Sequence, residues 1–122
     1  MVKMIFCVKK RGDISAEHFN DYWLNHHGPL VKSHREALQI KRYSQKHSGY
    51  FDFAEFAIEQ RDMSSSYDGF AELWWPDIET AMAAFSSEKG QAASAALAED
   101  EARFIDLSKS TIAFTDEYVI FE

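Results

Sequence analysis

The sequence has few residues of the kinds that cross-link a chain or break its helices. Its 122 residues include one cysteine, two prolines and five glycines. A single cysteine permits neither an internal disulfide nor a cysteine-based zinc site within one chain. The glycines are scattered, and the five histidines show no H-E-x-x-H spacing. The sequence therefore excludes a disulfide scaffold and a glycine-rich phosphate loop, and it predicts no metal site.

Positive charge is also scarce. Lys and Arg total 13 against 20 Asp and Glu, which gives a net charge of −7. An acidic surface repels phosphate backbones and anionic lipid head groups, so nucleic acid and membrane partners are not expected. The apolar run at residues 2–8 is too short for a signal peptide or a membrane span. We therefore expect a cytoplasmic protein, with Cys7 packed inertly in a strand.

Apolar residues are abundant. They make up 46% of the chain, and aromatic residues make up 15%. That is enough for a packed core, and the length suits one domain over residues 1–122.

The first half of the chain predicts a strand, a helix and a second strand. Residues 2–9 are apolar on both faces and favour a strand. Ser15 is a good N-cap for a helix over residues 15–27, and Gly28-Pro29 should end that helix because proline clashes with the preceding turn. The following residues, from Pro29, are expected to restart as a helical turn. Residues 38–47 alternate and predict the second strand.

The second half repeats this order after an insertion. Residues 48–67 show no clear period and are expected to form a long aromatic loop or lid. Residues 67–75 predict a third strand, and Asp77 caps a helix that Gly90 should interrupt before it resumes. Residues 110–122 supply the last strand or two. The β-α-β, β-α-β order is typical of an α+β ferredoxin-like split sandwich, a four-stranded antiparallel sheet with helices on one face.

The predicted strands also carry an apolar surplus. The first, third and fourth have apolar residues on both faces, whereas a sheet with one face in water should alternate. One face would then expose a large apolar patch. We therefore predict a homodimer that packs sheet against sheet.

Two adjacent histidines end the predicted first helix. On a period of 3.6, His26 joins the apolar stripe of Phe19, Tyr22 and Trp23, while His27 lies on its flank. Imidazoles exchange protons near neutral pH, and an aromatic wall such as Trp23 shifts their pKa. The alternatives are a histidine meeting the helix dipole, a core histidine with its hydrogen bonds satisfied, and an axial ligand to haem.

Three strand residues are further candidates. Tyr43 and His47 share a face but lie about 13 Å apart, since a strand rises about 3.3 Å per residue. Glu72 lies between Phe70 and Trp74, and a carboxylate on an aromatic face must pair, bind or titrate. It is either a general base or an ion-pair partner of Arg42 or Arg103.

Four segments carry a resemblance to a known family, and they cover most of the chain: "HFNDYWLNHHGPLV", "YSQKH", "DGFAELWW" and "DEARFIDLSKSTIAFTDEYV". They resemble the EthD-domain family of the dimeric α/β-barrel superfamily. The resemblance implies a ferredoxin-like domain that pairs as a dimeric α/β barrel. It also implies acid-base roles for His27 and Tyr43, with His47 and Glu72 behind them.

The function expected from this resemblance is a small-molecule enzyme that needs no cofactor. His27 and Tyr43 would be catalytic and would act on an apolar, oxygenated compound such as a phenol, a lactone or a polyketide-like enolate. Isomerase, cyclase, lyase and oxygenase outcomes stay open. The expected substrate-binding residues are Trp23, His26, His47, Phe70, Glu72 and Trp74. The alternatives are a non-catalytic ligand-binding accessory protein, as in ethyl tert-butyl ether degradation, and a haem-dependent oxidoreductase.

Overall fold

The computed structural model describes residues 1–122 and contains one four-stranded antiparallel sheet. The strands are β1 (Val2–Val8), β2 (Arg42–His47), β3 (Gly69–Trp75) and β4 (Thr111–Asp116), in the spatial order β2-β3-β1-β4. This order confirms the predicted ferredoxin-like sandwich. The sheet of a single chain is open and does not close into a barrel.

Six helices connect the strands. Between β1 and β2 lie α1 (Ala16–Tyr22), a π-helical turn (Trp23–His27), α2 (Gly28–Ser33) and α3 (Arg35–Leu38). The helix α4 (Phe51–Gln60) joins β2 to β3, and α5 (Ile78–Ser86) and α6 (Glu88–Glu101) join β3 to β4. A 3-10 turn (Leu107–Lys109) precedes β4. None of these helices combines the length and the apolar character that a membrane crossing requires.

The core lies between one face of the sheet and the helices. Phe6 and Val8 of β1 and Leu73 and Trp75 of β3 are buried on this face. The helices and the turn after α6 contribute a second set of buried side chains, namely Phe19, Trp23, Val31, Leu38, Ala81, Ala93, Leu97 and Phe104. The Trp75 indole N–H donates to the Leu38 carbonyl at 2.8 Å, so this buried ring also has a partner for its polar atom.

Gly28-Pro29 does not end the first helix, contrary to the prediction. The Gly28 N–H donates to the Trp23 carbonyl five residues earlier, and Gly28 itself has helical angles. A π turn is wider than an α turn, and it accommodates a proline that lacks an N–H and would press on the preceding turn. The chain is thus helical from Ala16 to Ser33.

Three other boundaries differ from the prediction. Residues 51–60 form the helix α4 rather than a loop, and none of its residues is buried. A helix with no buried face leaves only a weak periodic signal in the sequence. The break between α5 and α6 is at Ser87, whose hydroxyl accepts from the Gly90 N–H at 3.0 Å, so Gly90 lies inside α6. The second strand begins at Arg42, because Leu38 still belongs to α3.

One close approach joins β3 to the first helix. A side chain at Gly69 would overlap the Trp23 indole ring and would approach the Lys46 carbonyl to 2.9 Å. Glycine is therefore the residue that lets the Trp23 ring approach the first residue of β3 so closely. This contact helps to fix Trp23, from which the π turn starts.

Candidate active site

The π turn places His27 in the interior. Phe19, Trp23, His27 and Val31 follow one another at intervals of four, and all four are buried. His27 is 4% exposed. Its Nδ1 lies 2.7 Å from Oδ2 of Asp100 in the last turn of α6. One hydrogen bond thus connects the two helical crossovers that lie on the same face of the sheet.

Asp100 is a buried carboxylate with several donors. Its Oδ1 accepts from the Tyr22 hydroxyl at 2.5 Å and from Nη1 of Arg103 at 3.2 Å. Burial raises the pKa of Asp100, but the hydrogen bonds from Tyr22 and His27 outweigh burial, so the pKa lies below its ordinary value. The ionised carboxylate only accepts, so Nδ1 of His27 carries the hydrogen. Burial also lowers the pKa of His27, despite the bond to Asp100. The neutral ring therefore presents a lone pair on Nε2.

Glu101 faces that lone pair. Its Oε2 lies 3.8 Å from Nε2 of His27, which is longer than a hydrogen bond. Burial, reinforced by the charge of Asp100, raises the pKa of Glu101 to about 7. Both protonation states of this carboxyl group are thus accessible near neutral pH. The gap is too narrow for an atom to fit between the two side chains, but an atom that lies to one side of the pair can be within hydrogen-bond distance of both.

Tyr43 supplies a third polar group, from β2. Its hydroxyl oxygen accepts from Nε2 of Gln45 at 2.8 Å, so its own proton is available to another partner. Burial raises the pKa of Tyr43 to about 12. The phenol therefore stays protonated at neutral pH, and it acts as a hydrogen-bond donor rather than as a base.

These three side chains line one cavity. Its volume is about 160 Å³, and its walls are mainly apolar. Besides His27, Tyr43 and Glu101, it is lined by Met4, Phe6, Trp23, Val31, Leu38, Ala71, Leu73, Phe85, Ser94, Leu97, Ala98, Ile105 and Ile112. The predicted residues His27, Tyr43 and Trp23 thus meet at one cavity, which we call the inner cavity.

His26 lies outside the inner cavity. Its side chain is 59% exposed, and its ring stacks on Tyr22 with 4.5 Å between the ring centroids. A 3.6-residue period predicts that His26 points toward the core. The π turn adds one residue at this point, and His27 takes the inward position instead.

His47 contacts two residues that hold the site in place, Trp23 and Gln45. Its ring stacks on Trp23 with 4.5 Å between centroids, and its Nε2 lies 2.7 Å from Oε1 of Gln45. Gln45 in turn donates to the Trp23 carbonyl at 2.9 Å and to Tyr43. The alternating residues of β2 thus hold both the π turn and the Tyr43 hydroxyl, and His47 does not itself line the inner cavity.

Phe70, Glu72 and Trp74 lie on the other face of the sheet. Alternation along β3 turns Ala71, Leu73 and Trp75 to the core and these three side chains away from it. Glu72 forms ion pairs with Lys3, at 2.7 Å, and with Lys46. Both lysines lower the pKa of Glu72 through their hydrogen bonds. The structure therefore separates these three residues from the inner cavity, and it pairs Glu72 with lysines rather than with Arg42 or Arg103.

Asp100 and Glu101 are two residues of the site that the sequence analysis does not identify. Their spacing along the helix is the feature of the sequence that could have identified them. They follow Leu97 by three and four residues, on the stripe that also buries Ala93. Two carboxylates on the buried stripe of a helix indicate a site, because charges are seldom buried without partners. The structure contains no group of three or more His, Cys, Asp or Glu side chains arranged for a metal ion.

A comparison with protein families matches residues 11–108 to the EthD domain. The match covers the inner-cavity residues His27, Tyr43 and Glu101. A comparison with curated proteins finds no match.

Solved structures with the same fold cover nearly the whole chain. An EthD family protein from Bacillus halodurans has 18% identity and a TM-score of 0.62, with 97% of this chain and 99% of that chain covered. A protein from Bacteroides fragilis, described as dimeric and ferredoxin-like, has 10% identity and a TM-score of 0.59, with 95% of each chain covered. SnoaB from Streptomyces nogalater, described as a cofactor-independent oxygenase, has 14% identity and a TM-score of 0.50, with 99% and 97% covered.

The raised pKa of Glu101 predicts a pH-dependent stability. Between the ordinary value of 4.5 and about 7, the folded state keeps a proton that the unfolded state releases. This contribution to stability is therefore complete below pH 4.5 and is lost as the pH rises through 7. Replacing Glu101 with Gln removes it. We expect the difference in the free energy of unfolding, Glu101→Gln minus wild type, to become about 2 kcal/mol more favourable to the variant from pH 5 to pH 8.

Urea unfolding at pH 5 and pH 8 measures this difference. His27 titrates in both proteins, so its opposite pH dependence largely cancels. Glu99→Gln is the matched control, because Glu99 lies on the same helix with its side chain 77% exposed. A difference for Glu101→Gln that is the same at both pH values would contradict the assignment.

Proposed function

The chain belongs to the EthD domain family, and from this premise we propose that it is an acid-base enzyme for small oxygenated compounds that works without a cofactor. His27 is the proposed general base, and Tyr43 is the proposed donor to the substrate oxygen. Glu101 is the proposed partner that relays the proton. The observation that carries the proposal is the meeting of these three groups at one small, mainly apolar cavity.

The proposed first step is a proton transfer to His27. Nε2 takes a proton from a C–H beside a carbonyl group, or from a phenolic O–H, and the C–H electron pair moves onto the oxygen as an enolate. The imidazolium that forms is stabilised by Asp100, which already binds Nδ1 at 2.7 Å. Tyr43 donates its hydroxyl hydrogen to the negative oxygen. Protonated Glu101 supplies a proton elsewhere on the enolate and then regains one from His27.

The inner cavity limits the substrate to a small compound. Its volume of about 160 Å³ lies below the roughly 300–1,000 Å³ of pockets for drug-sized ligands. One ring with a few substituents fills it, as in a phenol or a lactone. The apolar walls strengthen every electrostatic interaction inside the cavity. The description of SnoaB as a cofactor-independent oxygenase adds support for this class of chemistry on the same fold.

A non-catalytic ligand-binding accessory protein is the second candidate. The observation that favours it is that every buried side-chain nitrogen and oxygen atom has a hydrogen-bond partner. A fully satisfied polar network also occurs where polar residues only stabilise a fold. This candidate predicts binding of small apolar compounds without any exchange of their protons.

The third candidate is a haem-dependent oxidoreductase, and a haem does not fit the site. Nε2 of His27, the proposed axial ligand, faces Glu101 at 3.8 Å within a cavity of about 160 Å³. A macrocycle would have to displace Glu101 and the surrounding apolar wall.

Proton exchange tests the enzyme proposal without a known product. A panel of cyclic ketones, lactones and phenols is incubated with the protein in D₂O, and NMR measures the loss of C–H signals. We expect catalysed exchange by wild type. His27→Ala should lose about 10²- to 10⁴-fold of the rate, the range for a general base. Tyr43→Phe should lose about 10- to 10³-fold, since one oxyanion donor is removed.

His18→Ala is the matched control, because His18 is an exposed histidine on α1. Its exchange rate should equal that of wild type. Saturable binding of panel compounds with no exchange above the buffer rate would support the accessory protein and contradict the enzyme.

We also propose that two copies pair through the outer sheet face. This face carries the half-buried side chains of Ile5, Cys7, Phe70 and Trp74 around the ion pair of Glu72 with Lys3. The apolar C-terminal residues Tyr118, Val119, Ile120 and Phe121 are exposed as well. A second copy would bury both sets of side chains. The Bacteroides fragilis protein with this fold is described as dimeric, which adds support.

Light scattering during size exclusion tests the pairing. We expect wild type to elute with twice the chain mass of 14.1 kDa. Phe70→Glu on the outer face should shift the mass toward one chain, because a carboxylate in place of an apolar ring would have to be desolvated between the two sheets. Phe53→Glu on α4 is the control, since Phe53 is 77% exposed and lies off the sheet. A monomeric wild type, or a monomer produced by Phe53→Glu alone, would contradict pairing through the sheet.

A further inference from the structure

A second, larger concavity lies beside the inner cavity. It has a volume of about 800 Å³ and runs between β2 and the helical segment of Leu24–Arg35. Its lining residues are Leu24, Gly28, Pro29, Val31, Lys32, Arg35, Ile40, Lys41, Arg42, Tyr43, Ser44, Gln45 and His47. We call it the outer groove. The proposed reaction uses none of these residues except Tyr43.

The outer groove is basic in an acidic protein. Its 13 lining residues include Lys32, Arg35, Lys41 and Arg42, which is four of the 13 cations in the chain and none of the 20 acidic residues. An even distribution of charge would have placed about two carboxylates among them. The groove is thus a local positive region on a chain of net charge −7.

The cations of the outer groove are not neutralised by the protein itself. None of the four takes part in any ion pair of the structure. Arg35 is held by backbone carbonyls, since its Nε donates to Ile40 at 3.3 Å and its Nη2 to Lys41 at 3.4 Å. Its Nη1 has no hydrogen-bond partner within the chain. Arg42 lies over the Trp74 ring, 4.9 Å from its centroid. The cations available to a ligand in the groove are therefore Lys32, Arg35 and Lys41.

Two residues separate the outer groove from the inner cavity. Tyr43 and Val31 line both. The Tyr43 ring crosses this partition, and its hydroxyl is held by Gln45 at 2.8 Å. A molecule whose reactive ring occupies the inner cavity can therefore place a substituent in the groove only by way of Tyr43 and Val31. Any substituent there would meet an excess of unpaired positive charge.

We propose that the outer groove binds the anionic group of the substrate, a carboxylate or a phosphate, while the reactive ring occupies the inner cavity. The substrate class is thus a small aromatic or enolisable acid rather than a neutral compound. Lys32 and Lys41 attract the anion, and the fixed Arg35 guanidinium donates to it. This inference rests on the proposed function in one respect, which is the use of the inner cavity as the site of reaction.

Binding of three probes that share one ring tests the proposal. Benzoate carries a carboxylate, phenyl phosphate carries a phosphate, and benzyl alcohol is the neutral comparison. Amide shifts of the ¹⁵N-labelled full chain are followed during titration at low salt. We expect at least one anion to bind about tenfold more tightly than benzyl alcohol, with shifts centred on residues 41–47. The preferred anion distinguishes a carboxylic acid from a phosphate ester.

Two variants assign the affinity to the groove. The double variant Lys32→Gln/Lys41→Gln should lose about tenfold in affinity for the anion and nothing for benzyl alcohol. Lys89→Gln is the control, because Lys89 is an exposed lysine on α6 outside the groove. Equal affinity for the anions and benzyl alcohol, or an unchanged double variant, would overturn the proposal.

The two proposals fail in different ways. Anion binding needs no turnover, so His27→Ala should keep it. Anion binding that depends on Lys32 and Lys41, without any proton exchange on ring compounds, would leave the groove assignment in place and remove the proposed reaction. Exchange on neutral ketones by a chain that shows no preference for anions would leave the reaction in place and overturn the groove assignment.

Discussion

The buried hydrogen bond between His27 and Asp100 is the interaction on which the site depends. It joins the first helical crossover to the second, and it is only 2.7 Å long. A carboxylate that is 2% exposed would be very costly without partners. Tyr22, Arg103 and His27 supply those partners, so the charge stays on Asp100 and the imidazole stays neutral. Loss of His27 would remove one of these donors, and loss of Asp100 would leave the tautomer of the ring undefined.

The π turn determines which side chain makes this bond. An unbroken α-helix would have directed His26 inward, and its Nδ1 lies only 3.7 Å from Asp100 even in its exposed position. The extra residue of the wider turn exchanges the positions of the two imidazoles, so that His27 points inward and His26 outward. Gln45 then fixes the turn from β2 through the Trp23 carbonyl. A helix, a strand and a second helix are therefore all needed to position one lone pair.

Much of the fold could be predicted because its signals are local. The apolar runs of β1 and β3 and the caps at Ser15 and Asp77 are properties of short segments, and the structure has all of them. The helix α4 could not be predicted from a buried stripe, since it buries nothing. The π turn was missed because a period of 3.6 assumes unbroken α geometry.

The site was predictable only in part, for the same reason. His27 and Tyr43 come from segments that resemble the EthD family, whereas the partners of His27 are 73 and 74 residues away in the chain. Contacts of that kind depend on how α6 packs against the first helix. Burial raises the pKa of Glu101 to about 7, whereas hydrogen bonds from Tyr22 and His27 keep the pKa of Asp100 below its ordinary value. No sequence pattern shows which of the two carboxylates has more donors.

The protonation state of the His27 ring is the measurement that tests this account most directly. Long-range ¹H–¹⁵N NMR of the imidazole nitrogens distinguishes a protonated nitrogen from one with a free lone pair. We predict a protonated Nδ1 and an unprotonated Nε2 in wild type at neutral pH, with a pKa for His27 below its ordinary value. A protonated Nε2 with a free Nδ1 would contradict the central claim, because no lone pair would then face Glu101 and the inner cavity.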